Sequence, residues 1–181
     1  MPRLEPMPLD EVDHDLRQML DQASEMMGFL PNDGLTMARH PQLFKSMVQM
    51  VNALYGQGTV EPELKRLVGH ITSTAAGCLY CKAHTAHGAH SLGVSREKVD
   101  AAWEFETSDL FSERERAAMR VALGAGLSPS AVTDEQFEDL RNYFSESEIV
   151  EIVGVIALFG FLNRWNSTLA TEIESSPLAF V

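Results

Sequence analysis

Apolar residues recur at intervals of three and four along nearly all of this 181-residue chain, and no segment alternates convincingly with period two. That periodicity predicts an all-α fold, a compact multi-helix domain without a sheet. Leu9, Val12, Leu16, Met19, Leu20, Ala23 and Met27 share one face of a first helix, which the turn residues of Gly28–Gly34 interrupt. A short helix near Leu35–Arg39 follows, then one over Pro41–Tyr55 with proline in its first turn. Gly56-Gln57-Gly58 reads as a linker and Thr59 as the N-cap of a helix running to about Ala76. Gly93 reads as a helix C-cap and Ser95 as the start of the next helix. Ser112/Glu115, Thr133/Gln136 and Ser145/Glu148 each have capping-box spacing, in which hydroxyl and N3 side chain satisfy each other's free amides. The sum is seven to nine helices in a single domain over 1–181. In it, N-terminal helices 1–58 pack on a core 59–110 and on a pseudo-repeat of that core, 111–175.

The pseudo-repeat is a faint internal echo at a spacing of 85 residues. Glu63-Leu-Lys-Arg-Leu-Val-Gly69-His-Ile71, followed by Cys78-Leu-Tyr-Cys81, lies over Glu148-Ile-Val-Glu-Ile-Val-Gly154-Val-Ile156, followed by Asn163-Arg-Trp-Asn166. Two similar helix pairs about a pseudo-twofold axis explain it; chance likeness between amphipathic helices is the alternative.

Charge and hydropathy exclude several classes. A net charge of -12 disfavours nucleic acid and anionic membranes, both of which are bound through basic patches. The longest apolar run, Ile149–Leu162, is interrupted by Glu151 and is shorter than the about 18 residues of a membrane span. The first residues lack the apolar core of a signal peptide, so the expected location is cytoplasmic.

Reactive chemistry concentrates at Cys78 and Cys81, the two cysteines of the chain. Separated by two residues on a helix, they lie on one side about a turn apart, near enough for a disulfide. At a helix start, free amides and the dipole favour the thiolate. Such a thiolate can attack a peroxide oxygen to give a sulfenic acid, which the second thiol converts to a disulfide. The reaction needs an acid for the leaving oxygen. His84 lies on the Cys81 face and is the proton-transfer residue, whereas His87 and His90 are read as packing or solvated. A zinc site is a weaker alternative, because one helix cannot aim C-x2-C-x2-H-x2-H at a single tetrahedral centre. A thioredoxin-like module would need strands that are absent, and a purely structural buried pair is a further alternative. Eight of the nine methionines fall in the first 50 residues, and Met7, Met19, Met26, Met27, Met37, Met47 and Met50 among them suggest an adaptable apolar surface suited to a subunit interface, with core filling the alternative for each.

The run Glu63–Gly93, centred on AAGCLYCKAHTAHGAHSLGVS, resembles the carboxymuconolactone decarboxylase and alkylhydroperoxidase D superfamily. Gly28-Phe-Leu-Pro-Asn32 and Phe159-Gly-Phe-Leu-Asn-Arg-Trp-Asn166 are similar to its peroxidase-related branch. The resemblance implies a homo-oligomer that reduces organic hydroperoxides without cofactor or metal, recharged by a dithiol reductant. It implies Cys81 as the attacking sulfur and Cys78 as the resolving one. The family histidine falls at Thr85, one residue after His84, and its relay glutamate at Arg66. In the echo Arg66 aligns with Glu151, which becomes the expected relay carboxylate unless it pairs with Arg66 or another cation; His70 is a second choice. The superfamily also includes lactone decarboxylases, so acid–base lactone decarboxylation is an alternative, and a non-catalytic oligomeric or zinc-binding role is a third reading.

Overall fold

A computed structural model describes residues 1–56 and 58–181, so Gln57 of the expected linker lies outside the described residues. Among those residues the chain is helical, with no strand. The helices are α1 (His14–Met27), α2 (Asn32–Met37), α3 (Pro41–Tyr55), α4 (Pro62–Ala75), α5 (Leu79–Ser91), α6 (Arg96–Asp100), α7 (Glu113–Gly126), α8 (Asp134–Arg141), α9 (Glu146–Leu169) and α10 (Ser175–Leu178). Single 3₁₀ turns occupy Leu9–Glu11 and Ala101–Glu104.

The three capping boxes form as expected, at α7, α8 and α9. Three boundaries differ. The first α-helix starts at His14, and Val12 joins the core from an extended C-cap after the 3₁₀ turn. The short second helix starts at Asn32 rather than Leu35, because the Glu174 carboxylate accepts the Asn32 amide and caps it from outside. The N-cap of α4 is Glu61 rather than Thr59, whose amide and hydroxyl both donate to Glu151.

Around α4 pack α5, α7 and α9, and this core is filled by residues such as Leu67, Ile71, Met119 and Ile152. A smaller core of Leu16, Leu20, Met37 and Phe44 ties α1–α3 together, and Leu162 of α9 touches both. Met7, Met19, Met37 and Met47 fill this smaller core, while Met26 and Met50 are exposed. The echo glycines both sit where helices approach closely. A Cβ on Gly69 would lie 2.4 Å from the Phe159 ring, and one on Gly154 would lie 2.6 Å from Leu54.

The two echoed segments diverge at one residue. Gly77 adopts φ +70°, the left-handed conformation that ends α4. Its amide donates to Thr74 O at 3.1 Å and the next amide, of Cys78, to Ser73 O at 3.0 Å, a Schellman closure. The carbonyl of Cys78 then accepts the Lys82 amide at 2.9 Å and opens α5. Its counterpart in the echo, Leu162, allows no such break, and α9 runs on for 24 residues. One glycine therefore converts a continuous helix into a helix start occupied by a cysteine.

Candidate functional site

Cys78 is the N-cap of α5, and Cys81 is in its first turn. Both are unpaired and only 2% exposed. The neighbouring Cys81 thiol is the largest influence on Cys78 and, against the opposing effect of burial, holds its pKa down to about 6. The Cys81 amide, the Ser167 hydroxyl and the Tyr80 amide assist, as expected of a helix start. Cys81 shifts well upward for the complementary reason: its proton is engaged by Cys78, and burial adds to the effect. The lowered value at one cysteine and the raised value at the other belong to the pair, which gives up its first proton more readily than a lone thiol does.

Asn166 of α9 donates to Cys81 Sγ at 3.4 Å and to Asp33 Oδ2 at 3.3 Å. Asn166 is the echo counterpart of Cys81, so equivalent positions of the two segments meet at the sulfur.

His84 does not hydrogen-bond either sulfur. Its Nε2–H donates to Glu174 Oε2 at 2.6 Å, and its ring stacks on Tyr80 at 4.0 Å and meets the edge of Phe29 at 5.1 Å. Tyr80 OH donates to Glu174 Oε1 at 2.9 Å, and the same oxygen accepts the Asn32 amide at 2.5 Å. Burial alone would raise the Glu174 pKa, but the His84 hydrogen bond and charge, with the Asn32 amide, bring it below its usual value. Burial pushes the Tyr80 phenol well upward, and the nearby Asp33 and Glu174 add to that, so it remains a donor. Glu174 reaches this place because Ala170, at φ 51°, turns the chain back after α9. His84 and its carboxylate are 90 residues apart in sequence, and no local pattern marks the pair.

Glu151 is elsewhere. It pairs with Lys65 Nζ at 2.8 Å and accepts the Thr59 and Val60 amides at 2.9 and 3.3 Å, fastening the segment before α4 to α9. Lys65 is 3% exposed and also donates to Leu54 O. A buried ammonium needs such a partner, which makes Glu151 a structural counter-ion and corrects the expectation that it approaches the dithiol. Replacing Glu151 by Gln is expected to lower the urea midpoint by on the order of 3 kcal/mol of stability, with unchanged thiol oxidation rates below the transition. A large rate loss in the folded variant would return Glu151 to the reaction.

His70 is also outside the site. Burial lowers its pKa to about 4, and Nδ1 faces Lys82 O at 3.1 Å and Thr85 Oγ1 at 3.2 Å. Thr85, at the position of the family histidine, is fully buried and donates to Cys81 O. His87 and His90 pack against Phe180, as expected of packing residues.

Residues 41–123 match the carboxymuconolactone decarboxylase family. The debrominase Bmp8 in its apo form is similar over 98% of this chain and 95% of its own, at 38% identity and a TM-score of 0.91. A cysteine-to-alanine variant of Bmp8 in complex with 2,3,4-tribromopyrrole gives 37% identity and a TM-score of 0.92, over 98% of this chain and 94% of that one. An uncharacterized peroxidase-related protein from Ralstonia eutropha JMP134, described as an alkylhydroperoxidase AhpD core, gives 26% identity and 0.82 over 99% and 95% of the two chains. With the family match and these similarities over nearly the whole length, the chain belongs to the carboxymuconolactone decarboxylase and alkylhydroperoxidase D-like superfamily.

Proposed function

We propose that the protein is a cofactor-independent dithiol reductase whose substrates are organic hydroperoxides. The observation that carries this reading is the pair of free, buried thiols at the start of α5, Cys78 at its N-cap and Cys81 in its first turn; the lowered Cys78 pKa favours Cys78 as the attacking sulfur, the reverse of the order that the resemblance implied. The Cys78 thiolate attacks the terminal peroxide oxygen. The O–O bond breaks, Cys78 becomes a sulfenic acid, and the alkoxide takes a proton from His84, which Glu174 orients. Cys81 then attacks the sulfenic sulfur, releases water and closes the disulfide, so that two thiols are oxidised for each peroxide reduced. An external dithiol restores the pair, as a reducing cytoplasm would allow.

The similarity to Bmp8 favours a second substrate class for the same two electrons. A thiolate that attacks a ring halogen forms a sulfur–halogen bond and leaves a carbanion. The carbanion takes the His84 proton, and Cys81 displaces halide to give the same disulfide.

The homo-oligomer remains a proposal. Val150, Val153 and Phe161 are exposed at helical spacing on α9, a face suited to a second copy of this chain.

Counting thiols after one equivalent of cumene hydroperoxide tests the function. Loss of two thiols per chain is the expected result. Thiols that survive peroxide but disappear with a bromopyrrole select the halide reading. Thiols untouched by both overturn dithiol chemistry and leave acid–base catalysis of the lactone decarboxylase kind.

A further inference from the structure

A cleft of about 500 Å³ opens between the C-terminal ends of α4 and α7 and the second half of α9. It adjoins the dithiol. Ser167 of its wall directly follows Asn166, the donor to Cys81 Sγ at 3.4 Å, and Ala76 of its wall lies two residues before Cys78.

Two guanidinium groups stand at this cleft, Arg3 and Arg164, both exposed. Among the described residues neither pairs with a carboxylate, although acidic residues outnumber basic ones 26 to 14. Arg3 is held in place by the end of α9, its amide donating to Leu169 O at 2.7 Å and one Nη to Thr168 O at 2.7 Å. Arg164 donates from one Nη to Gly160 O at 2.8 Å. A guanidinium has five N–H groups, so most of the fork on each remains free.

A third observation is independent of charge. Asn163 also lines the cleft, is 3% exposed, and has no partner for Oδ1 or Nδ2. A buried amide left without partners is costly, and a polar ligand in the cleft is the group available to satisfy it.

A second trough, about 680 Å³ and mainly apolar, shares Arg164 with the cleft and is walled by Ile156, Phe161 and Trp165. We infer that the cleft is the substrate site of the Cys78 thiolate and selects organic substrates carrying a carboxylate, held between Arg3 and Arg164. This rests on the dithiol reading above. An acid in that place leaves the Ser167 end of the cleft to the reacting group and the trough to apolar substituents. With a net charge of -12 the molecule as a whole repels anions, so discrimination in favour of one must come from these local donors.

The test compares cumene hydroperoxide bearing a 4-carboxylate with its methyl ester, which has the same peroxide and no charge. Wild type is expected to be oxidised at least about tenfold faster by the acid, the value of one charge-assisted contact. The preference should vanish in the Arg3→Gln/Arg164→Gln double variant and return in Arg3→Lys/Arg164→Lys. Calorimetry with unreactive 4-isopropylbenzoate and its methyl ester measures binding without turnover, and only the acid should bind, more weakly as salt rises. Equal rates for acid and ester, or acid binding indifferent to both arginines, overturn the carboxylate site while leaving the dithiol mechanism intact. If neither peroxide oxidises the thiols, the reductase reading fails, and calorimetry still decides whether the cleft binds the acid.

Discussion

Cys78→Ser is expected to reduce the rate of peroxide oxidation by on the order of 10³-fold or more, and Cys81→Ala to leave a single oxidation per chain that stops at the sulfenic acid. The reason is the lowered Cys78 pKa, held down chiefly by the neighbouring Cys81 thiol. With the Cys78 pKa lowered to about 6, the thiolate is favoured at pH 7. Below pH 6 the rate should fall about tenfold for each pH unit. Removing Cys81 deletes the largest single influence on that pKa, so the thiolate absorbance step in Cys81→Ala should move up toward the usual thiol range. Serine at position 78 keeps the N-cap, which limits any loss of stability. The measurement is the pH dependence of thiolate absorbance and of oxidation rate in the two single variants. Fast oxidation persisting in Cys78→Ser, with a low-pH thiolate at Cys81, would transfer the attacking role to the other sulfur.

Glu174→Gln is expected to cost both activity and stability. The carboxylate accepts from Asn32, Tyr80 and His84. An amide cannot accept at its nitrogen, so at least one of these donors loses its partner, at about 1–3 kcal/mol. Peroxide turnover should fall about 10²-fold, the usual contribution of an oriented proton donor. The pH signature separates this residue from a passive contact. Its pKa lies below the ordinary 4.5, so its contribution to stability is present above that value and is lost as pH falls through the lower folded-state pKa. The stability gap between wild type and Glu174→Gln, read from urea midpoints, should be full at pH 6 and close below pH 4. Turnover in the variant should also lose part of its acid limb, since His84 no longer has a fixed orientation. A gap that stays constant down to pH 3 would mean the carboxylate contributes shape and no charge.

Local chemistry accounts for the parts of this molecule that were readable from residue order. Ser112, Thr133 and Ser145 cap helices because a hydroxyl and a glutamate or glutamine three residues on satisfy neighbouring amides, an interaction that ignores the rest of the fold. Gly77 breaks the helix and leaves Cys78 at a helix start for the same kind of reason, a conformation that glycine adopts without strain. The dithiol was therefore visible as a reactive pair. Asn166 was half visible, as the echo of Cys81, although nothing in its neighbourhood in sequence showed that the two would touch.

The carboxylate was a different matter. Glu151 and Glu174 are both acidic residues in the last 31 positions, and the echo singled out the first. Packing chose the second. Lys65 is buried one position before Arg66 and requires a counter-ion, which engages Glu151 at a distance from the sulfurs. The left-handed turn at Ala170 carries Glu174 back to Tyr80 and His84. The three capping-box helix starts, the sulfur pair and the helical class follow from interactions within a few residues, which any chain with this order of side chains makes. Which carboxylate faces His84, and how far each thiol's pKa moves, depend on contacts across 90 residues and on the depth at which each group is buried, and these exist only once the helices have packed.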